Sequence, residues 1–257
     1  MVTVAGLVSE ENLRLAWRRI TTGTNHQYKR FFRQLFYAYE LGLNENMPSL
    51  HTALRGPTYQ ATHPTRIYLP KPSGLQRPIS LLTVEDQVVL QAIANVFALK
   101  VKTRRKAVEW KSVFSNILSD DDDDIFFLRD WHITYHHFQK RIKGYFDEGF
   151  RWIAHFDLAA FYDTISHDLL LRTILPRRGA GDFEVFVKNF LEKWSAEKPL
   201  RTFSHGIPQG PVASNFLAEC FFLPMDEVLV REHIRYVRYV DDIRLFGATE
   251  DDVRRAA

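Results

Sequence analysis

From Ile234 to Gly247 the chain reads IRYVRYVDDIRLFG, two strand-like runs that meet at adjacent aspartates. Neighbouring like charges suit a strand interior poorly, so the pattern favours folds in which Asp241 and Asp242 form the tip of a β-hairpin. Asp favours turns in any case, and one such pair needs no further reason. A third acid changes the question. WIAHFDLAAF, residues 152–161, reads as a buried strand carrying Asp157 at its end. A carboxylate buried there is costly unless it is paired or bound to a cation, although a strand-end aspartate also serves as a helix cap. Brought beside the hairpin, Asp157 would complete a set able to hold two divalent cations about 4 Å apart, as in-line phosphoryl transfer requires. Carboxylates and Mg²⁺ are a hard-ligand match.

With 257 residues, 46% of them hydrophobic, the chain buries a real core in one large domain or two closely packed ones. No apolar run reaches the roughly 18 residues of a spanning helix, and MVTVAGLVSEENL lacks the pattern of a signal peptide, so a cytoplasmic protein without membrane contact is expected. The single cysteine, Cys220, allows no internal disulfide and no cysteine metal cluster, and its apolar surroundings place it in the core.

The net charge is only +3, but it is unevenly spread. Lys100, Lys102, Arg104 and Arg105 belong to KVKTRRKAVEWK, which suits a phosphate backbone or, more simply, a solvated helix end. The acidic run Asp120–Asp124 reads as an exposed loop. His132 and His136 stand one helical turn apart, yet no HExxH, Cys or further His pair accompanies them, which disfavours zinc.

Ser9 predicts the start of a helix carrying Leu13, Trp17 and Ile20, and a second helix is expected across residues 26–42 with Tyr28, Phe31, Phe32, Leu35, Phe36 and Tyr39 on its core face. TRIYLPKPSGLQRPIS predicts a hairpin turning at Pro72 and Gly74, which would bring the cations Lys71 and Arg77 together. Thr83 and Asp86 resemble a capping box opening a helix apolar on one side, with the basic segment at its end. Ser166 caps a further expected helix. In SHGIPQGPVASN, Gly206 and Gly210 bracket a tight loop whose backbone could approach a ligand closely. Pro211 is expected in the first turn of an apolar helix that Pro224 ends or kinks.

In this order PKPSGLQRPIS, FDLAAFYDTISH, GIPQGPVASN and YVDD resemble the motifs of reverse transcriptases, in particular the bacterial group of intron, retron and defence-associated enzymes. The resemblance spans residues 59–247 and implies an α+β right-hand polymerase: an N-terminal helical region over 1–58, fingers over 59–150 and a palm over 151–257 that includes residual fingers helices near 166–203. The palm would be an antiparallel sheet backed by helices. The family's thumb would follow YVDD, so the chain is expected to be the fingers and palm of a longer protein.

The same resemblance implies roles. Asp157, Asp241 and Asp242 would be catalytic, with Asp157, Leu158 and Asp241 in the metal set and Asp242 coupled more weakly to it. Two Mg²⁺ ions, or Mn²⁺ in their place, are the implied cofactors. Lys71, Arg77, Phe161, Tyr162 and Gln209 would hold the incoming nucleotide, with Tyr162 as the steric gate against a 2′-hydroxyl. Gly206, Pro208 and Gly210 would face template and primer, and Lys100, Lys102, Arg104 and Arg105 would grip template phosphates. Partners would be dNTPs, an RNA template or associated noncoding RNA, and the DNA product. Large assemblies among defence-type relatives imply a homo-oligomer, and elimination of other subgroup hallmarks leads to an anti-phage enzyme.

Two other readings stand beside this one. An RNA-dependent RNA polymerase shares the palm but places an acid at the gate, where this chain has Tyr162 and carries Asp163 one residue later. An RNA-binding scaffold on an inactive palm would have lost catalytic acids that this sequence retains.

Overall fold

The computed structural model describes residues 3–22, 26–56, 58–71, 74–175, 181–196 and 202–257. Helix starts follow their caps. Thr3 opens α1 (Val4–Leu7), and Ser9 opens α2 (Glu10–Thr21) by accepting from the Asn12 amide. The single helix expected across 26–42 is instead two, α3 (His26–Lys29) and α4 (Arg33–Leu41), separated by turns in which Phe31 and Phe32 donate to Tyr28 and Lys29. The break lets Tyr28, Phe32 and Phe36 follow one another into the core, with Trp17 edge-on to Phe36, while Phe31 and Leu35 stay exposed. α5 (Leu43–Arg55) follows.

The expected hairpin forms from β1 (Thr65–Pro70) and β2 (Gln76–Leu81), with Leu69 opposite Arg77. Pro72 lies outside the described residues; Gly74 takes the left-handed φ of 82° that a turn asks of glycine. α6 (Val84–Lys106) starts at Thr83, whose hydroxyl accepts from the Asp86 amide. Asp86 does more than cap: its buried carboxylate also accepts from the Tyr59 hydroxyl and the Thr62 amide, tying the approach to β1 onto the helix. α6 is buried around nearly its whole circumference from Asp86 to Ala98 because α2 packs on one side and α11 (Val212–Arg231) on another. One apolar stripe was too modest an expectation for a helix at the centre.

α7 (Trp131–Asp147) begins at Asp130 and precedes β3 (Trp152–Phe156). Then come α8 (Phe161–Thr164), α9 (His167–Ile174, capped by Ser166) and α10 (Asp182–Ser195). Pro211 is the cap of α11 rather than a residue of its first turn, and the helix runs through Pro224 to Arg231. β4 (Arg235–Tyr239) and β5 (Asp242–Gly247) form the second hairpin, and α12 (Glu250–Ala256) ends the described chain with a capping box between Thr249 and Asp252.

The three-stranded sheet has the antiparallel order β3-β5-β4. Val237 and Phe246 meet Phe138 and Tyr145 of α7 on one face, while Tyr236, Ile243 and Leu245 join the main core on the other. The strand expected to be buried, β3, is largely exposed, with Trp152 and Ile153 open by 47% and 46%. Among the described residues it is an edge strand that pairs only with β5, and α7 and α11 cover the sheet nearer its other strands.

Candidate active site

The β4–β5 connection consists of Val240 and Asp241, since Tyr239 pairs directly with Asp242. Asp241 therefore occupies the turn, and Asp242 is the first residue of β5 rather than a tip residue. Alternation along the strand separates the two carboxylates. Asp241 lines a cleft of about 780 Å³, together with Asp157, which follows the last residue of β3. Asp242 does not line it; Arg244 at 2.8 Å and His155 at 2.9 Å hold its carboxylate.

The cleft also collects Lys71, Arg77, Leu158, Phe161, Tyr162, Gln209 and Gly210. Burial pushes the Asp241 carboxyl above the ordinary range, and repulsion from Asp157 and Asp242 adds to this, while its backbone amide and Lys71 pull the other way. Burial likewise raises the Tyr162 phenol, which feels Asp241 as a repelling charge and Arg77 as an opposing one. These mutual fields place acids and cations in one electrostatic neighbourhood. Tyr162 is fixed there by donating to Asn215 Oδ1 at 2.9 Å, a contact from α11 made by the last residue of GIPQGPVASN.

The 204–210 loop is built by main-chain bonds. Gly206 donates to Ile165 at 2.8 Å, Ile207 donates to Tyr162 at 2.9 Å, and Gln209 accepts from Ser80 of β2 at 2.8 Å. The buried His167 ring meets the Gly206 carbonyl at 2.6 Å, and Ser195 Oγ donates to the same oxygen. The glycines serve internal approach: a Cβ on Gly210 would lie 2.5 Å from the Tyr28 ring. Gly206 and Pro208 are buried, so neither presents a surface to a nucleic-acid strand as expected.

The basic segment is also drawn inward. Arg105 is buried against Glu109 and Glu219, Arg104 grips Glu227 with both ends of its fork and donates to the Thr173 carbonyl, and Lys102 pairs with Asp122. None of these three stands as an unpaired cation awaiting template phosphates, while Lys100 remains exposed on α6. The acidic loop is exposed as expected, and it also offers the carbonyls of Asp122 and Asp124 to the Arg19 guanidinium. His132 is exposed on α7 and bonded to Asp130. Cys220 is fully buried, its thiol pushed up to about 12.

Two acids and two cations thus converge on one cleft whose lining also includes Gly210 and the rings of Phe161 and Tyr162. Residues 69–257 match the family model of reverse transcriptase (RNA-dependent DNA polymerase), and the chain belongs to that family. Protein YkfC of Escherichia coli (strain K12) is 25% identical over 182 residues, covering 70% of this chain and 43% of that protein. The chain thus spans less than half of that relative. The telomerase of Candida albicans, solved with a TWJ fragment of telomeric RNA, shares the fold with a TM-score of 0.50 and 14% identity over 77% of this chain and 39% of that one. The partial Cas6-RT-Cas1–Cas2 complex gives 0.46 and 16% over 96% of this chain and 38% of that one.

The family works with divalent metal, and the donors fit a hard cation: two carboxylates open on one cleft, with the charge of Asp157 felt at Asp241. No group of three or more His, Cys, Asp or Glu side chains among the described residues is arranged as a metal site, and Asp242 is paired with Arg244. Mg²⁺ characteristically takes one or two carboxylates and completes its shell with water and substrate phosphates. Among the described residues no helix is long and apolar enough to cross a membrane.

Proposed function

We propose that the chain forms the fingers and palm of an RNA-directed DNA polymerase that adds deoxynucleotides to a 3′-hydroxyl. The observation that carries this reading is the convergence of Asp157, Asp241, Lys71, Arg77, Tyr162 and Gln209 on one cleft from four separate segments. In the reaction the 3′-oxygen bonds to the α-phosphorus of a dNTP, and the bond to the leaving pyrophosphate breaks. Mg²⁺ held by Asp157 and Asp241, with Leu158 beside them, would lower the charge on attacking and leaving oxygens. Lys71 and Arg77 hold the triphosphate, Arg77 through its planar fork and Lys71 as a point charge. Phe161 and Tyr162 lie under the sugar, and the ring of Tyr162 occupies the space of a 2′-hydroxyl. Gln209 borders the nucleotide in the same cleft.

An RNA template or an associated noncoding RNA, dNTPs and the DNA product are the proposed partners, in a bacterial cytoplasm and within a homo-oligomer. We extend the reading to anti-phage defence; plating efficiency on cells with and without the gene, and with Asp241→Asn, tests that extension. The biochemical test is extension of a primed RNA template by the full-length protein with Mg²⁺ and either dNTPs or NTPs. DNA that disappears in Asp241→Asn supports the proposal. RNA product would favour an RNA polymerase, and an inactive protein that still binds RNA would favour a scaffold.

A further inference from the structure

Val240 sits at φ 57°, a left-handed conformation that a β-branched residue adopts only under constraint. A two-residue hairpin turn asks for a positive φ at its first position, where glycine is usual, and here a valine fills it. The side chains of Ser115 and Arg238 hold both polar groups of the Val240 backbone in that conformation. The amide donates to Ser115 Oγ at 2.7 Å, and the carbonyl accepts from Arg238 Nη1 at 3.0 Å.

Both partners are rooted in Glu219 of α11. Ser115 is fully buried and donates to Glu219 Oε1, and Arg238 meets Glu219 Oε2 at 2.8 Å. Asp226, two turns further along α11, holds the other edge of the Arg238 guanidinium at 2.6 Å. Ser115 arrives by a separate route: its segment runs beside β4, with Phe114 donating to the Arg238 carbonyl and Arg238 donating to that of Ser112. Two charged helix positions thus act through a strand arginine and a loop serine on the two peptide units that flank Val240, next to Asp241.

We infer that Ser115 is a positioning residue of the polymerase reaction, fixing the Val240 turn, and through it the Asp241 carboxylate, on the platform of Glu219 and Arg238. The inference rests on the proposed reading of Asp241. A buried hydroxyl that accepts one bond and donates another cannot be replaced by a methyl group without freeing the Val240 amide. Small displacements of a reacting group carry large rate costs, roughly 100-fold for 1 Å. Substrate binding by Lys71, Arg77 and Gln209 is made by other segments, so the loss falls on turnover.

The test compares Ser115→Ala with Ser115→Thr, which keeps the hydroxyl, and with Ser119→Ala, which deletes a buried hydroxyl bonded to the Phe126 carbonyl away from the hairpin. In the full-length protein, Ser115→Ala is expected to lower kcat by about 30- to 100-fold with the dNTP KM within about twofold, and Ser115→Thr to restore most of it. Amide exchange over 236–246 should quicken by about tenfold in Ser115→Ala, and affinity for Mn²⁺ should fall, while Ser119→Ala changes neither. Wild-type exchange and Mn²⁺ affinity in Ser115→Ala would overturn the inference, as would equal effects of the two alanine variants. If the wild-type protein makes no polymer, the functional reading fails, and exchange with Mn²⁺ binding still decides the role of Ser115.

Discussion

Arg244 Nη2 lies 2.8 Å from Asp242 Oδ2, two residues back along the same strand, and this pair turns the second aspartate of YVDD away from the cleft that Asp241 enters. Adjacent acids therefore have separable consequences. Asp241→Asn is expected to remove roughly 10³-fold or more of polymerase turnover, and Asp242→Asn roughly tenfold. Single-turnover primer extension on both variants checks the order, and equal losses would contradict it.

Tyr162 is held from α11 by Asn215. Tyr162→Ala should raise ribonucleotide incorporation relative to deoxynucleotide, whereas Tyr162→Phe keeps the ring and should leave sugar selectivity close to wild type. Competition between matched dNTP and NTP pairs measures this. Unchanged selectivity in the alanine variant would remove Tyr162 from the gate.

Gly210 faces the Tyr28 ring with no room for a methyl group, at a φ of 132°. Gly210→Ala is expected to cost about 1–3 kcal/mol and to raise the dNTP KM as the Gln209 loop shifts. Combining it with Tyr28→Ala relieves the clash but not the backbone, so only part of the nucleotide affinity should return. Thermal melting and KM read the two effects separately.

Burial holds the His167 imidazole below its ordinary value, although its bond to the Gly206 carbonyl acts the other way. The unfolded chain then binds more protons than the fold between that lowered value and about 6.5, so stability rises with pH across this interval and is lost as pH falls below about 6.5. His167→Gln should flatten this part of the stability–pH curve measured by urea unfolding.

Arg105 was legible as a base and not as a buried one. Arg105→Met removes the ion-pair partner of buried Glu109 and leaves Glu219 to Arg238 alone, and should cost about 3–5 kcal/mol, with little change in the salt dependence of nucleic-acid binding. Urea melts and binding titrations at several salt concentrations distinguish this structural role from a phosphate contact.

What the sequence disclosed was local. Ser9, Thr83 and Ser166 each cap the helix they announce, and both hairpins form where alternating residues and turn formers place them. The cleft residues were legible because four short motifs each carry several of them. What stayed hidden depends on partners distant along the chain. Arg105 and Glu219 are 114 residues apart, and Val240 and Ser115 are 125 apart. No period or spacing encodes such pairings. The exposure of β3 was hidden for the same reason: WIAHF has a core composition, and only the strand order puts it at an edge.

The family match starts at residue 69, yet α2 lies directly on α6, where Asn12 bonds the Ala92 carbonyl and Asn95, and Arg19 bonds Asn95 in turn. The unit that ancestry delimits and the unit that excludes water are therefore different lengths of chain. A fragment cut at the ancestral boundary would open one flank of α6 to solvent, and the first sixty residues are better regarded as half of a shared interior than as an appendage to it.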